Sequence, residues 1–336
     1  MDTAIKDGAR ELMEKLLYEI KRVVVGQDYF LERVLVSLLA GGHLLVEGVP
    51  GLAKTLTVKT LAQAVRGEFR RIQFTPDLVP ADLIGTRMYN IKTGEFSTTL
   101  GPVFANLLLA DEINRAPAKV QSALLEVMQE HQVTIAGESH LVPEPFLVMA
   151  TQNPIESEGT YPLPEAQVDR FMMKVVIGYP DADEEYAIVE RVIGEIPEPV
   201  AIADTETLGR LQAACKKGYV DPALISHAVR LVAATRRPSD VGLENLSGYI
   251  NYGAGPRATI HLVEAARALA FLRGRGYVVP EDLSDVVPDV LRHRLVLSYE
   301  ALADGVDSDE IIRQISAAVP APQKPLEHYA EPAAAR

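Results

Sequence analysis

His43-Leu44-Leu45-Val46-Glu47-Gly48-Val49-Pro50-Gly51-Leu52-Ala53-Lys54-Thr55-Leu56 decides the fold. An apolar run leads into a glycine-rich turn, and a helix-like segment, Leu56 to Val65, leads out. Strand, Gly-rich turn, Lys-Thr and helix is the order that a phosphate-binding loop requires. Glycines let successive backbone N–H groups turn inward around an anion. The following helix points its positive N-terminal end at the same place. In that reading Lys54 neutralises β- and γ-phosphates and the Thr55 hydroxyl holds Mg²⁺. The spacing fits G-x-x-x-x-G-K-[ST] except that Ala53 stands where a second glycine is expected.

The surrounding chain is long enough for a sizeable core. It has 336 residues, 48% hydrophobic and 24% charged, which is a soluble, globular composition. A net charge of −13 argues against an overall attraction to nucleic acid or anionic lipid. The single cysteine, Cys215, cannot form an internal disulfide, which fits a reducing, cytoplasmic setting. Residues 1–22 mix acids and bases through an apolar period and do not read as a signal peptide. No run of 18 apolar residues predicts a membrane span.

Outward from the loop, Ile5, Leu12, Leu16, Leu17 and Ile20 predict an opening amphipathic helix, and Leu31 to Leu39 a second. Four further apolar runs read as strands: Phe69 to Phe74, Asn106 to Ala110, Phe146 to Ala150 and Lys174 to Ile177. With the run before Gly48 they make five, alternating with helices. A mostly parallel sheet covered on both faces follows. Two hairpins interrupt the pattern, one within Asp82 to Val103 with its turn at Lys92-Thr93-Gly94, the other at Gln132 to Val142. Beyond Pro197 and Pro199 the periodicity is helical, at Leu224 to Thr235, Thr259 to Leu272 and Pro280 to Leu291. The organisation expected is an N-terminal helix over 1–22, an α/β domain over 23–198, a smaller helical domain over 199–314, and a Pro- and Ala-rich disordered tail over 315–336. The basic clusters Arg236-Arg237, Arg273/Arg275 and Arg292-His293-Arg294 read as solvated faces or subunit contacts.

Asp111-Glu112 ends one apolar strand. Near a phosphate loop, the first carboxylate holds metal and the second orients and deprotonates water. Asn153 follows the next strand; if the two strands are neighbours, it can hydrogen-bond both the γ-phosphate and the attacking water. There is no G-x-S-x-G elbow, no His-Glu-x-x-His, and no metal-ligand spacing among the seven His residues.

Together, residues 48–55, Asp111-Glu112 and Asn153 resemble the AAA+ ATPases, and within them the MoxR family. The resemblance is carried also by Phe74-Thr75-Pro76-Asp77-Leu78, Asp111-Glu112-Ile113-Asn114-Arg115-Ala116, Ala150-Thr151-Gln152-Asn153-Pro154 and Leu163 to Phe171. Ala53 is compatible with the family pattern. The resemblance implies a five-stranded parallel AAA+ sheet followed by a small all-helical lid. It implies ATP and Mg²⁺ as cofactors, with Gly48, Val49, Pro50, Gly51, Leu52, Ala53, Lys54, Thr55 and Leu56 binding nucleotide. Val25, Gly26 and Gln27 match the stretch lining the adenine, and Thr55 and Asp111 the metal ligands. It makes Glu112 the catalytic base, Asn153 its helper, Arg170 an arginine finger reaching a neighbouring subunit's γ-phosphate, and Arg257 the sensor 2 arginine. Arg115 is a further interface charge. A hexameric ring, a protein client and a von Willebrand factor A domain partner are the implied associations, and both hairpins project toward the ring's central face. A nucleic-acid motor is the rival reading. The acidic balance and the offsetting charges of Lys92 and Glu138 at the hairpin tips weigh against it. A non-hydrolysing nucleotide-dependent scaffold is a second rival, opposed by an intact Glu112 and Arg170.

Overall fold

The computed structural model describes residues 3–91, 94–154, 159–194 and 197–323. The chain separates into two compact units, 1–214 and 215–336. In the first unit the elements run α1 (Thr3–Val23), α2 (Asp28–Ala40), β1 (Leu44–Glu47), α3 (Lys54–Ala64), β2 (Phe69–Gln73), α4 (Pro80–Ile84), β3 (Gly85–Asn90) and β4 (Glu95–Leu100). They continue with β5 (Leu107–Asp111), α5 (Ala118–Glu130), β6 (Gln132–Ile135), β7 (Glu138–Leu141), β8 (Leu147–Gln152), α6 (Glu165–Val168), β9 (Met173–Val176), α7 (Ala182–Ile193) and α8 (Thr205–Cys215).

Five strands form one parallel sheet in the order β2-β5-β8-β1-β9. Its three central strands are buried almost throughout, which is why they read as unbroken apolar runs. At the edge, β2 buries only Ile72 well and exposes Arg70, Arg71 and Gln73. The order brings the carboxyl ends of β1, β8 and β5 side by side, with β8 in the middle. That is where an open parallel sheet presents a ligand crevice.

The opening helix belongs to this unit. Met13, Leu16 and Ile20 are buried on one face, and Glu19 is tied to Arg22 and to the Val200 N–H. The contacts also carry the unit past residue 198. The N–H groups of Ile202 and Ala203 bond to Ala64 O, and Gln212 on α8 donates to Leu38 O at 2.6 Å. Both expected hairpins are present, pairing Gly85 to Asn90 with Glu95 to Leu100 and Gln132 to Ile135 with Glu138 to Leu141. Met88, Tyr89, Ile91 and Phe96 are exposed on the first. Arg87 lies over the Phe96 ring and 3.7 Å from Glu138, so the two hairpins touch. The turn residues Lys92 and Thr93 lie outside the described residues.

The second unit comprises α9 (Pro222–Arg236), β10 (Ile250–Tyr252), α10 (Pro256–Leu272), α11 (Pro280–Leu291), β11 (Val296–Leu297), α12 (Tyr299–Ala303) and α13 (Ser308–Ala318). It is helical apart from the short antiparallel pair β10–β11. Ala258, Ala265, Ala266 and Ala268 keep the buried face of α10 slim, so neighbouring helices approach closely. Helix α13 corrects the start expected for the tail: Ile311, Ile312 and Ile315 make a buried face at helical spacing, and the helix continues to Ala318. Residues 324–336 of the expected disordered tail lie outside the described residues.

Two of the basic clusters are corrected as well. Arg275 grips Asp282 with two hydrogen bonds of 2.5 Å, Arg273 joins at 3.3 Å, and Arg292 bridges Asp289 and Asp309. The Asp282 and Asp289 side chains are fully buried, so these arginines serve the unit's interior rather than a solvated face. Among the described residues no helix is long and apolar enough to cross a membrane.

Candidate active site

The loop from Gly48 to Ala53 crosses the carboxyl end of the sheet between β1 and α3. Glycine is required at both ends of its turn for different reasons. A Cβ on Gly48 would lie 2.4 Å from the Ile177 side chain, where the loop passes the end of β9. Gly51 has φ of +88°, a left-handed conformation that side chains disfavour. Ala53 adopts the same region at φ 55°. The backbone therefore keeps the shape of the glycine that the motif expects, at some cost to the alanine.

Helix α3 starts at Lys54 without a side-chain cap. Its first N–H groups open toward a cleft of about 430 Å³ lined by Gly48, Pro50, Gly51, Leu52, Ala53, Lys54, Thr55 and Leu56. The far wall is made by Asp111, Glu112, Thr151 and Asn153, with Arg71 and Gln73 from β2. Lys54 Nζ donates to Gly48 O at 2.6 Å. Burial lowers its pKa, while Asp111 and Glu112 pull the other way. A half-buried ammonium next to an uncapped helix start is the donor set that a phosphate chain fits.

The two carboxylates are held by side chains from two neighbouring strands, β2 and β8, and by Arg115 from the turn after β5. Asp111 Oδ1 accepts the Thr151 hydroxyl at 2.6 Å, and Oδ2 accepts Arg71 at 2.6 Å. Glu112 has φ of 56°, so the chain turns sharply at the end of β5. Its N–H donates to Thr151 Oγ1 at 2.9 Å. Its carboxylate accepts Gln73 Nε2 at 2.6 Å and lies 3.3 Å from Arg115 Nε. Left-handed non-glycine backbone at Ala53 and Glu112, on opposite walls of one cleft, is strain held at a working site.

Among the described residues no group of three or more His, Cys, Asp or Glu side chains forms a metal cage. A divalent ion of the Mg²⁺ type does not need one. It takes one or two protein oxygens and completes its shell with phosphate and water. Thr55 and Asp111, both on the cleft wall, fit that pattern.

A smaller apolar pocket of about 120 Å³ continues from the loop. Val25 and Gln27 line it, with Gly51, Leu52, Ala53 and Leu56 shared with the cleft. Gly26 lines neither pocket; a Cβ there would meet the Glu184 carboxylate at 2.6 Å. Val49 also lines neither.

Several residues escaped the sequence reading. Arg71 and Gln73 lie on an edge strand whose alternation was visible, but their reach across to Asp111 and Glu112 depends on strand order. Thr151 was quoted within a motif without a role. Val23 at the end of α1, Pro180 from the loop before α7, and Ile188, Arg191 and Val192 on α7 complete the apolar pocket.

Arg170 follows α6 and is not among the residues that line the cleft. Its N–H bonds to Gln167 O, and Gln167 is pinned to Ser122 on α5 at 2.9 Å. Arg257 opens α10 in the second unit.

Comparison with known proteins places this arrangement. Residues 43–173 match the family model described as ATPase family associated with various cellular activities (AAA), and residues 243–315 match the AAA lid domain. Chaperone MoxR1 of Mycobacterium tuberculosis is 55% identical over 93% of this chain and 82% of its own length. Protein MoxR of Methylorubrum extorquens is 31% identical over 93% and 96%. The crystal structure of a putative ATPase from Cytophaga hutchinsonii superposes with a TM-score of 0.90, at 48% identity over 95% of this chain and 97% of that one. A phosphate loop facing Asp111, Glu112 and Asn153 across one cleft, and relatives of this identity along nearly the whole chain, lead to one conclusion: the chain belongs to the MoxR family of AAA+ ATPases.

Proposed function

We propose that this chain hydrolyses ATP with Mg²⁺ as one subunit of a homo-oligomeric, hexameric ring and uses the cycle to remodel or mature a protein client. One observation carries the reading: the uncapped start of α3, with Lys54, faces Asp111, Glu112 and Asn153 across a single cleft. Lys54 and the α3 amides hold the phosphates, and the apolar pocket beside Val25 and Gln27 takes the base. Thr55 and Asp111 would hold Mg²⁺, which would supply positive charge to the phosphate chain. Glu112 accepts the proton of the attacking water, and Asn153 orients that water from the neighbouring strand. Arg170, which does not line its own cleft, is the group supplied to a neighbour. Its guanidinium stays charged and spreads its donors over phosphate oxygens. The name of the mycobacterial relative, a chaperone, supports a protein client. The MoxR resemblance supports delivery through a von Willebrand factor A domain partner.

The test has three arms. Lys54→Ala should abolish nucleotide binding; undiminished ATP affinity would overturn the loop assignment. Arg170→Ala should lose hydrolysis and regain some when mixed with Glu112→Gln subunits, which keep Arg170; no rescue at any ratio would remove the finger in trans. Glu112→Gln held in ATP should retain a protein from native lysate. Salt-sensitive stimulation of hydrolysis by DNA, with no protein retained, would favour a nucleic-acid motor instead.

A further inference from the structure

Both oxygens of Asp111 are engaged by side chains of this chain. Oδ1 takes the neutral Thr151 hydroxyl. Oδ2 takes a full positive charge: Arg71 Nη2 at 2.6 Å and Nε at 3.2 Å. Arg71 Nη2 also donates to Gln73 Oε1 at 3.1 Å, and Gln73 passes its amide on to Glu112. Arg71 comes from edge strand β2, whose Gln73 stands opposite Asp111 in the ladder. Its side chain is 49% exposed while that of Asp111 is 17% exposed. The cation is therefore the more accessible partner and the carboxylate the more enclosed one. Arg71 also lines the same cleft as Lys54 and Thr55.

From this geometry we infer that Arg71 is a placeholder cation, a positioning residue that reserves Asp111 and makes its loading with a divalent ion conditional on the triphosphate. The inference rests on the reading of the cleft as a Mg²⁺–nucleotide site. A guanidinium matches a divalent ion in sign but cannot join its octahedral shell, so ion and arginine compete for Oδ2. A bare ion must displace Arg71 with nothing offered in return. An ion arriving with a triphosphate brings anionic oxygens that the guanidinium fork can take in place of Asp111. Loading then becomes an exchange: Asp111 passes from arginine to metal, and Arg71 from carboxylate to phosphate.

Mn²⁺ is the probe, titrated into the full chain without nucleotide and read by electron paramagnetic resonance. Arg71→Met keeps the stem and removes the charge, and it should bind Mn²⁺ about 10–100-fold more tightly than the parent protein, the range over which neighbouring groups tune metal sites. Arg71→Lys, a point charge, should fall between. Asp111→Asn combined with Arg71→Met should abolish the gain. ATP binding by each protein is measured in parallel, with thermal melts to confirm folding. Equal Mn²⁺ affinity in the parent and Arg71→Met proteins, with ATP binding intact, would overturn the placeholder role alone. Failure of the parent protein to bind ATP would overturn the nucleotide reading instead.

Discussion

Acid–arginine pairs occur in both units, and they are built differently. In the second unit Asp282 is fully buried, takes two arginines and also accepts the Val279 N–H at the start of α11. Asp289 is likewise fully buried against Arg292, whose side chain is 12% exposed. These pairs are closed on the acid's side: each carboxylate is wholly buried and its arginines are more enclosed than Arg71. In the first unit Asp111 pairs with an arginine that is half exposed on an edge strand. That pair is open on the arginine's side, where the guanidinium can turn into solvent. Burial separates an ion pair that holds a fold together from one that can exchange partners during a reaction.

The largest effect should come from breaking a closed pair. Asp282→Ala leaves Arg273 and Arg275 facing an empty buried site and uncaps α11. It should destabilise the second unit by about 3–5 kcal/mol, read as a lowered denaturant midpoint, whereas Asp111→Asn should cost under about 1 kcal/mol. Equal losses would erase the distinction between the two classes. Conversely, Glu112→Gln should leave the melt unchanged and reduce turnover by about 10²–10⁴-fold, measured as phosphate release under saturating ATP.

A closed polar group also lies at the amino end of β1, opposite the end that carries the open site. His43, just before β1, accepts the Val148 N–H at Nδ1 and therefore donates from Nε2 to Met128 O. Burial lowers its pKa from 6.5 to about 4. The unfolded chain takes up the proton first as pH falls, so stability is full above pH 6.5 and is lost progressively down to about pH 4. The loss should reach about 3 kcal/mol. Urea denaturation of the parent and His43→Gln proteins across that window should show a distinctly shallower slope in the variant, where His227, also lowered by burial, still contributes; parallel slopes would remove His43 as a source.

The smallest effect sharpens the open side. Ala53→Gly removes a left-handed alanine, and it should raise stability by about 1 kcal/mol or less, since glycine also adds freedom to the unfolded chain. A lowered melting temperature would show that Ala53 is not strained.

Legibility followed the range of the interactions. The five strands were readable because three are buried on both faces and hence continuously apolar. Both hairpins were readable from Gly-centred turns between alternating segments. The phosphate loop, Asp111, Glu112 and Asn153 were readable because each sits at a fixed offset from a strand end. Helices α4, α6 and α12 were not, being four or five residues long and lacking a full period. The arginines of the second unit looked solvated because their acidic partners lie 3 to 17 positions away on other turns of chain.

The amino-acid sequence by itself determined that a strand, a glycine-rich turn and a Lys-Thr helix start would follow one another in the order of a phosphate-binding loop, and that two carboxylates would end another strand. Those properties are local: backbone conformation, helix polarity and side-chain chemistry within a few residues. Only the tertiary structure decided that β8 lies between β1 and β5, which sets Asn153 beside both halves of the site. It alone placed β2 at the sheet edge, where Arg71 and Gln73 reach Asp111 and Glu112, 40 and 39 residues away. Strand order is a choice among long-range pairings of similar apolar runs, settled by how the whole core packs.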